Sequence, residues 1–183
     1  MMVLFTPTYF TERVTNIDLN LLSELNVRCI ILDIDDTLVP HGYPVPGEEI
    51  FAWINELKEN NIGIMLVSNN FRKRVKAFAT KLNLPYVCMG LKPLAYGIKK
   101  ALKISKIPRE NVLVIGDQIF TDILGANFIK VKSILVNPLG GQSRTFLLKF
   151  KRFFEKSLRN KIKNDINLSL PNFKNNISGG ETL

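Results

Sequence analysis

The chain has 183 residues, 46% of them hydrophobic and 22% charged, with a net charge of +9; that length and balance suit one domain with a real core and exclude a disordered chain. Two cysteines and one histidine exclude a disulfide scaffold and a four-ligand zinc site of the usual kind. No apolar run reaches the roughly 18–20 residues of a membrane-spanning helix, and the N-terminus lacks the basic start and apolar stretch of a signal peptide, so the expectation is a cytoplasmic protein, soluble or attached to a surface.

Residues 1–27 form a lead-in segment. The first buried run is Cys29-Ile30-Ile31-Leu32, and a continuous apolar run of this kind predicts a strand covered on both faces of a parallel sheet. Residues 47–60 then place Ile50, Trp53, Ile54 and Leu57 at helical spacing. A second strand is expected at 62–67, and a helix at 71–82 with Phe71, Val75, Phe78 and Leu82 on its apolar face. A strand at 86–89, a helix at 94–104, a strand at 112–115, a helix at 119–128 and a strand at 133–136 complete the alternation. Strands alternating with helices predict an α/β fold, an open three-layer sandwich with a five-stranded, mainly parallel, Rossmann-like sheet. Ligands of such sheets sit beyond the carboxyl ends of the strands. Cys29, Cys88 and Trp53 read as packing residues, and His41 as a surface loop residue.

The residues at those strand ends are the chemically loaded ones. Strand one runs into Asp33-Ile34-Asp35-Asp36-Thr37, strand two into Ser68-Asn69-Asn70, strand three into Gly90-Leu91-Lys92-Pro93, and strand four into Gly116-Asp117 with Asp122 shortly after. One sheet edge would therefore gather carboxylates, a hydroxyl and a lysine. Close carboxylates call for a cation. Mg²⁺ takes hard oxygen ligands and shares them with a substrate phosphate. Side chains i and i+2 of a strand point the same way, so Asp33 and Asp35 can face the same crevice and divide nucleophilic and proton-transfer work. The reaction class that fits is metal-assisted phosphoryl transfer. Taken singly, Ser68, Asn69 or Asp122 would read equally well as a helix cap. No Gly-x-x-x-x-Gly-Lys-Ser/Thr loop is present, which excludes a P-loop nucleotide hydrolase. A signalling receiver domain is rejected by the order in which the acids and the lysine follow the strands.

Asp-x-Asp-x-Thr, then Ser, then Lys-Pro, then Gly-Asp-x-x-x-x-Asp over residues 28–137 resembles the haloacid dehalogenase (HAD) superfamily of phosphatases. Asp35-Asp36-Thr37-Leu38-Val39, Val67-Ser68-Asn69-Asn70 and Gly116-Asp117-Gln118 with Thr121-Asp122 resemble its subfamily IIIA, YqeG-type branch, which includes phosphatidylglycerophosphate phosphatases. The resemblance implies Asp33 as nucleophile and Asp35 as general acid/base. It implies a Mg²⁺ ion held by Asp33, the Asp35 backbone carbonyl, Asp117 and Asp122. It implies phosphate binding by Thr37, Ser68, Asn69 and Lys92, with Lys92 also stabilising the phosphorylated aspartate. Asp36 reads as non-catalytic.

No segment between the motifs is long enough for a cap domain, and by resemblance capless members act on large or surface-presented substrates. Phosphatidylglycerophosphate is the implied substrate. A protein or small-metabolite phosphatase, or a non-catalytic binding or ribosome-associated factor, stays open. Residues 1–141 read as the capless phosphatase domain, 142–163 as a basic amphipathic helix and 164–183 as a flexible tail. Residues 142–183 carry nine Lys/Arg against three Asp/Glu. From 143 to 163 an apolar stripe of Phe146, Leu147, Phe150, Phe153, Phe154, Leu158 and Ile162 faces a basic side. Such a helix suits anionic lipid, and packing on the domain suits it equally. No DNA partner is expected, and RNA or ribosome contact stays open.

Overall fold

The computed structural model describes residues 2–89 and 95–140. Within them, β1 (Tyr9–Thr11), β2 (Cys29–Leu32), β3 (Gly63–Val67), β4 (Tyr86–Val87), β5 (Val112–Gly116) and β6 (Lys132–Val136) form one parallel sheet in the order β1-β6-β5-β2-β3-β4. The helices are α1 (Leu19–Glu24), α2 (Glu48–Glu59), α3 (Arg72–Leu82), α4 (Tyr96–Ser105) and α5 (Leu124–Phe128). The expected helix, the basic amphipathic stretch 142–163, and the tail 164–183 lie outside the described residues, as does Lys92.

The class is as expected, but the sheet has six strands rather than five. The lead-in segment supplies the extra one: β1 lies along β6, with Tyr9 opposite Ile134. Thr8 N donates to Ser133 O at 2.8 Å and Thr8 Oγ1 accepts from Ser133 N at 3.0 Å. The same segment forms α1, whose N-cap Asp18 accepts from Leu21 N at 2.8 Å. β4 is two residues shorter than the apolar run at 86–89 implies, because Met89 turns into positive φ at 50°.

The strand pleat sorts the core into two layers. Ile30, Leu32, Ile64, Leu66, Leu113 and Ile115 pack with α1, α2 and α3. Cys29, Ile31, Met65, Val67, Val112 and Val114 pack with α4 and the α5 region. α2 buries the four residues its spacing predicts, Ile50, Trp53, Ile54 and Leu57, and the indole Nε1 donates to Ile17 O at 2.9 Å. Each such side chain contributes about 1.5–3 kcal/mol by leaving water. α3 buries Val75, Phe78, Ala79 and Leu82, but Phe71 precedes it as N-cap and is 77% exposed. The expectation that Phe71 belongs to the core is therefore wrong.

Strand order reverses between β2 and β5. From β2 the chain moves outward to β3 and β4, then returns to β5 on the other flank of β2. That reversal opens a crevice at the carboxyl ends of β2 and β5. Between β2 and β3 the chain makes a loop and α2, and among the described residues no cap domain is inserted.

Candidate active site

Asp33 leaves β2 still in sheet register, its N–H donating to Ile115 O at 3.0 Å. Asp117 leaves β5 on the adjacent strand. Asp122 follows on a turn of π-helix, Ile119–Ile123, that leads into α5, where the sequence predicts one continuous helix from 119. Asp33, Asp117 and Asp122 are all buried, and each offers a carboxylate oxygen within 4.8 Å of the others. At an effective dielectric of ~20, unit charges this close repel by about 3.5 kcal/mol or more per pair. The oxygen-only donor set fits a hard divalent cation such as Mg²⁺, which would relieve that repulsion.

Local backbone geometry holds the acids together. A Cβ on Gly116 would stand 2.6 Å from Asp122 Cβ and run into its carboxylate, so only glycine lets the turn close on β5. Asp122 Oδ2 accepts from Gln118 N at 3.2 Å and lies 3.4 Å from Thr121 Oγ1. Thr37 Oγ1 lies 3.5 Å from Asp33 Oδ2 and 3.4 Å from Asp117 Oδ1. The hydroxyl thus sits between two acids of the cluster, and Thr37 is not among the residues lining the cavity beside them.

That cavity measures about 210 Å³. Asp33, Asp35, Ser68, Asn69 and Asn70 line it from β2 and β3, and Gln118 and Thr121 from the β5 side, with His41 also on its wall. Ser68 Oγ accepts from Asn70 N at 3.1 Å, which leaves its proton to donate into the cavity. Asp36 is buried but turned elsewhere. It adopts positive φ at 62°, its carboxylate accepts from His41 N at 3.0 Å, and its carbonyl accepts from Leu139 N at 2.9 Å. It shapes the loop after β2 and is not part of the acid cluster.

Asp35 faces the cavity with partners the sequence did not reveal. Asn70 Nδ2 donates to Asp35 Oδ2 at 2.6 Å, Arg74 Nη2 pairs with Asp35 Oδ1, and His41 Nδ1 lies 3.5 Å from the same oxygen. His41 is exposed, as expected of a loop residue, yet it also belongs to this wall. A signal for Arg74 was present. α3 opens with Arg72-Lys73-Arg74 and has no acid in its first turn, an arrangement that opposes the helix dipole and makes sense beside an anionic site. On the opposite layer, burial pushes the Cys29 thiol up to about 11, a hydrogen bond with Ser105 countering it in part. Such a thiol is inert packing material.

A parallel α/β sheet whose reversal point presents clustered aspartates, a hydroxyl and an amide around a small cavity is an arrangement able to hold a divalent cation beside a small polar ligand. Comparison with known proteins narrows this. The haloacid dehalogenase-like hydrolase family matches residues 44–128, a stretch that holds Ser68, Asp117 and Asp122. The protein described as probable phosphatase YqeG of Bacillus subtilis is 35% identical over 159 residues, covering 87% of this chain and 92% of its own. Among solved structures, an uncharacterized protein from Listeria monocytogenes superposes with a TM-score of 0.53 at 17% identity, over 66% of this chain and 84% of its own. A hypothetical protein from Xanthomonas campestris superposes with a TM-score of 0.50 at 13% identity, over 68% and 71%. The chain belongs to the haloacid dehalogenase-like hydrolases and is an enzyme of the HAD phosphatase type. No helix among the described residues is long and apolar enough to cross a membrane.

Proposed function

We propose that the enzyme hydrolyses phosphomonoesters through an aspartyl-phosphate on Asp33, with Mg²⁺ as cofactor and phosphatidylglycerophosphate as substrate. The observation that carries the chemistry is the junction of the Asp33, Asp117 and Asp122 cluster with a cavity walled by Asp35 and Ser68. Mg²⁺ held there by Asp33, Asp117, Asp122 and the Asp35 backbone carbonyl would neutralise the acids and the phosphate oxygens.

The chain's own groups do the rest. A carboxylate oxygen of Asp33 attacks phosphorus as the ester P–O bond breaks, and Asp35 gives its proton to the departing alkoxide. Asp35 then takes a proton from water, whose oxygen attacks the phosphorus of the acyl phosphate, so that inorganic phosphate leaves and Asp33 is restored. Ser68 and Asn69 hold phosphate oxygens, Thr37 steadies Asp33 against Asp117, and Lys92 supplies a cation. The lipid substrate is supported by the likeness to the YqeG-type branch, by a site with no cap over it among the described residues, and by the basic amphipathic stretch 143–163, which would bring the enzyme to anionic lipid.

The test is phosphate release across a panel containing phosphatidylglycerophosphate in detergent micelles, sugar phosphates and phosphopeptides, with and without Mg²⁺. Release from the lipid at a kcat/KM well above the others supports the reading. Preference for a sugar phosphate or a peptide replaces the lipid. Equal activity in chelator removes the metal, and no release from any member leaves a binding protein of the same fold.

A further inference from the structure

Among the described residues, five of the eight exposed large apolar side chains fall on one edge of the sheet. Tyr43, Val45, Phe71, Met89 and Tyr96 all lie in segments that follow the carboxyl ends of β2, β3 and β4. Because the strands are parallel, those segments share the sheet edge that carries the catalytic cavity. Leu4, Ile104 and Phe128 lie elsewhere, on the lead-in segment and at the far ends of α4 and α5. Phe71 is the sharpest case. It directly follows Asn70 of the cavity wall, and the residue is 77% exposed.

Charge reinforces the pattern. Residues 60–109 contain eleven Lys/Arg and no Asp or Glu. Among them Arg72, Lys73 and Lys76 are exposed on the first turns of α3, directly behind Phe71. Glu48 and Glu49 open α2 three residues after Val45, so the acid-free tract does not extend to the segment that follows β2.

We infer that this rim is a docking face for an anionic lipid bilayer, with Phe71, Tyr43, Val45, Met89 and Tyr96 entering the headgroup region and Arg72, Lys73 and Lys76 pairing with lipid phosphates. Phe71, Met89 and Tyr96 belong to the tract that carries cations and no acids, and apolar side chains beside such cations complement a negatively charged apolar interface; Tyr43 and Val45 extend the apolar part of the face. A polynucleotide would use the cations and the rings but has no use for exposed Val45 and Met89. The consequence is orientation: docking by this edge turns the cavity mouth toward the membrane, so a phosphomonoester headgroup reaches Asp33 without leaving the bilayer. The inference rests on the lipid-substrate reading for its purpose, but its test does not depend on that reading.

The test compares the full-length protein with two variants, Tyr43→Ser/Phe71→Ser and Arg72→Gln/Lys73→Gln/Lys76→Gln. Each is also made in a background in which Lys149, Arg152, Lys156 and Arg159 are reversed to Glu, so that binding through 143–163 is separated. Sedimentation uses phosphatidylcholine vesicles with and without 30% (roughly) phosphatidylglycerol at low salt. Each basic residue near an anionic surface contributes about fivefold in partitioning. The triple variant should therefore lose on the order of a hundredfold on anionic vesicles, and the apolar pair at least tenfold. Hydrolysis of para-nitrophenyl phosphate should stay within twofold (about) of wild type. Rim variants that sediment like their parent in both backgrounds overturn the inference. So does binding of a polyuridine probe that vesicles fail to displace. Hydrolysis of micellar phosphatidylglycerophosphate is scored separately: its absence removes the substrate reading and leaves the docking result standing.

Discussion

Arg74 carries the most specific prediction, because nothing local in the chain ties it to Asp35, 39 residues away. Replacing it with methionine keeps most of the length and removes the charge. Exposed ion pairs contribute about 0.2–1 kcal/mol, and hydrogen bonds to buried charged groups about 1.5–3 kcal/mol. The Arg74 and Asp35 side chains are 30% and 13% exposed, so their coupling should fall near the junction of those ranges, about 1 kcal/mol. Asn70 still holds the other Asp35 oxygen at 2.6 Å, so the carboxylate loses one anchor and keeps one. If Arg74 positions Asp35, about 1 kcal/mol of lost orientation lowers kcat about fivefold, with KM for a small phosphomonoester unchanged within about twofold. Arg74→Lys should recover part of the loss, since it restores the charge without the planar fork. Stability should move little, because removing a cation from the first turn of α3 regains about 0.3–1 kcal/mol against the helix dipole. Steady-state kinetics on Arg74→Met, Asn70→Ala and the double variant measures the coupling. A wild-type kcat in Arg74→Met, alongside a clear loss in Asn70→Ala, would refute a positioning role and leave the pair as surface electrostatics.

Asp33→Asn should fold normally, as far-ultraviolet circular dichroism would show, and release phosphate at under about a hundredth of the wild-type rate, since an amide is a poor nucleophile; a tenth of wild-type turnover would assign the attack elsewhere. Asp117→Ala should raise the Mg²⁺ concentration for half-maximal activity about tenfold or more in a metal titration. Gly116→Ala should cost about 1–3 kcal/mol in chemical denaturation, because its methyl collides with Asp122; a loss below about 0.5 kcal/mol would show that the turn swings aside freely. The Cys29 thiol rises from 9.0 to about 11 on folding through burial. Above pH 9 the unfolded chain therefore loses a proton that the folded one keeps, so stability should fall between about pH 9 and 11 by up to about 2–3 kcal/mol. Cys29→Ala should remove that slope, whatever it does to the neutral-pH value.

What could be read from the chain, and what could not, divides along a physical line. Asp33, Ser68 and Asp117 each follow a continuous apolar run, and the end of such a run marks a strand tip. Parallel topology then sends all the tips to one edge, so the meeting of Asp33 and Asp117 needs no knowledge of side-chain geometry, whereas Asp122 joins them through the π-helical turn and the close approach that Gly116 allows. Periodicity serves α2 equally well, where all four predicted residues are buried. It fails at Phe71, which is spaced i, i+4, i+7 with Val75 and Phe78 and so fits the apolar stripe, although the helix starts one residue later. β1 is three half-buried residues and α1 six, too short for any period to emerge. The partners of Asp35 come from a loop, a strand end and a helix start, and only tertiary structure joins them. Periodic burial thus reports where the core is and where the strands end, whereas the rim around the cavity is built from residues that escape the period. Phe71 exposed and Arg74 set against its helix dipole are both departures of that kind. Both stand on the edge where the acids meet, which is why departures from the helical pattern are the places to look for this enzyme's specificity.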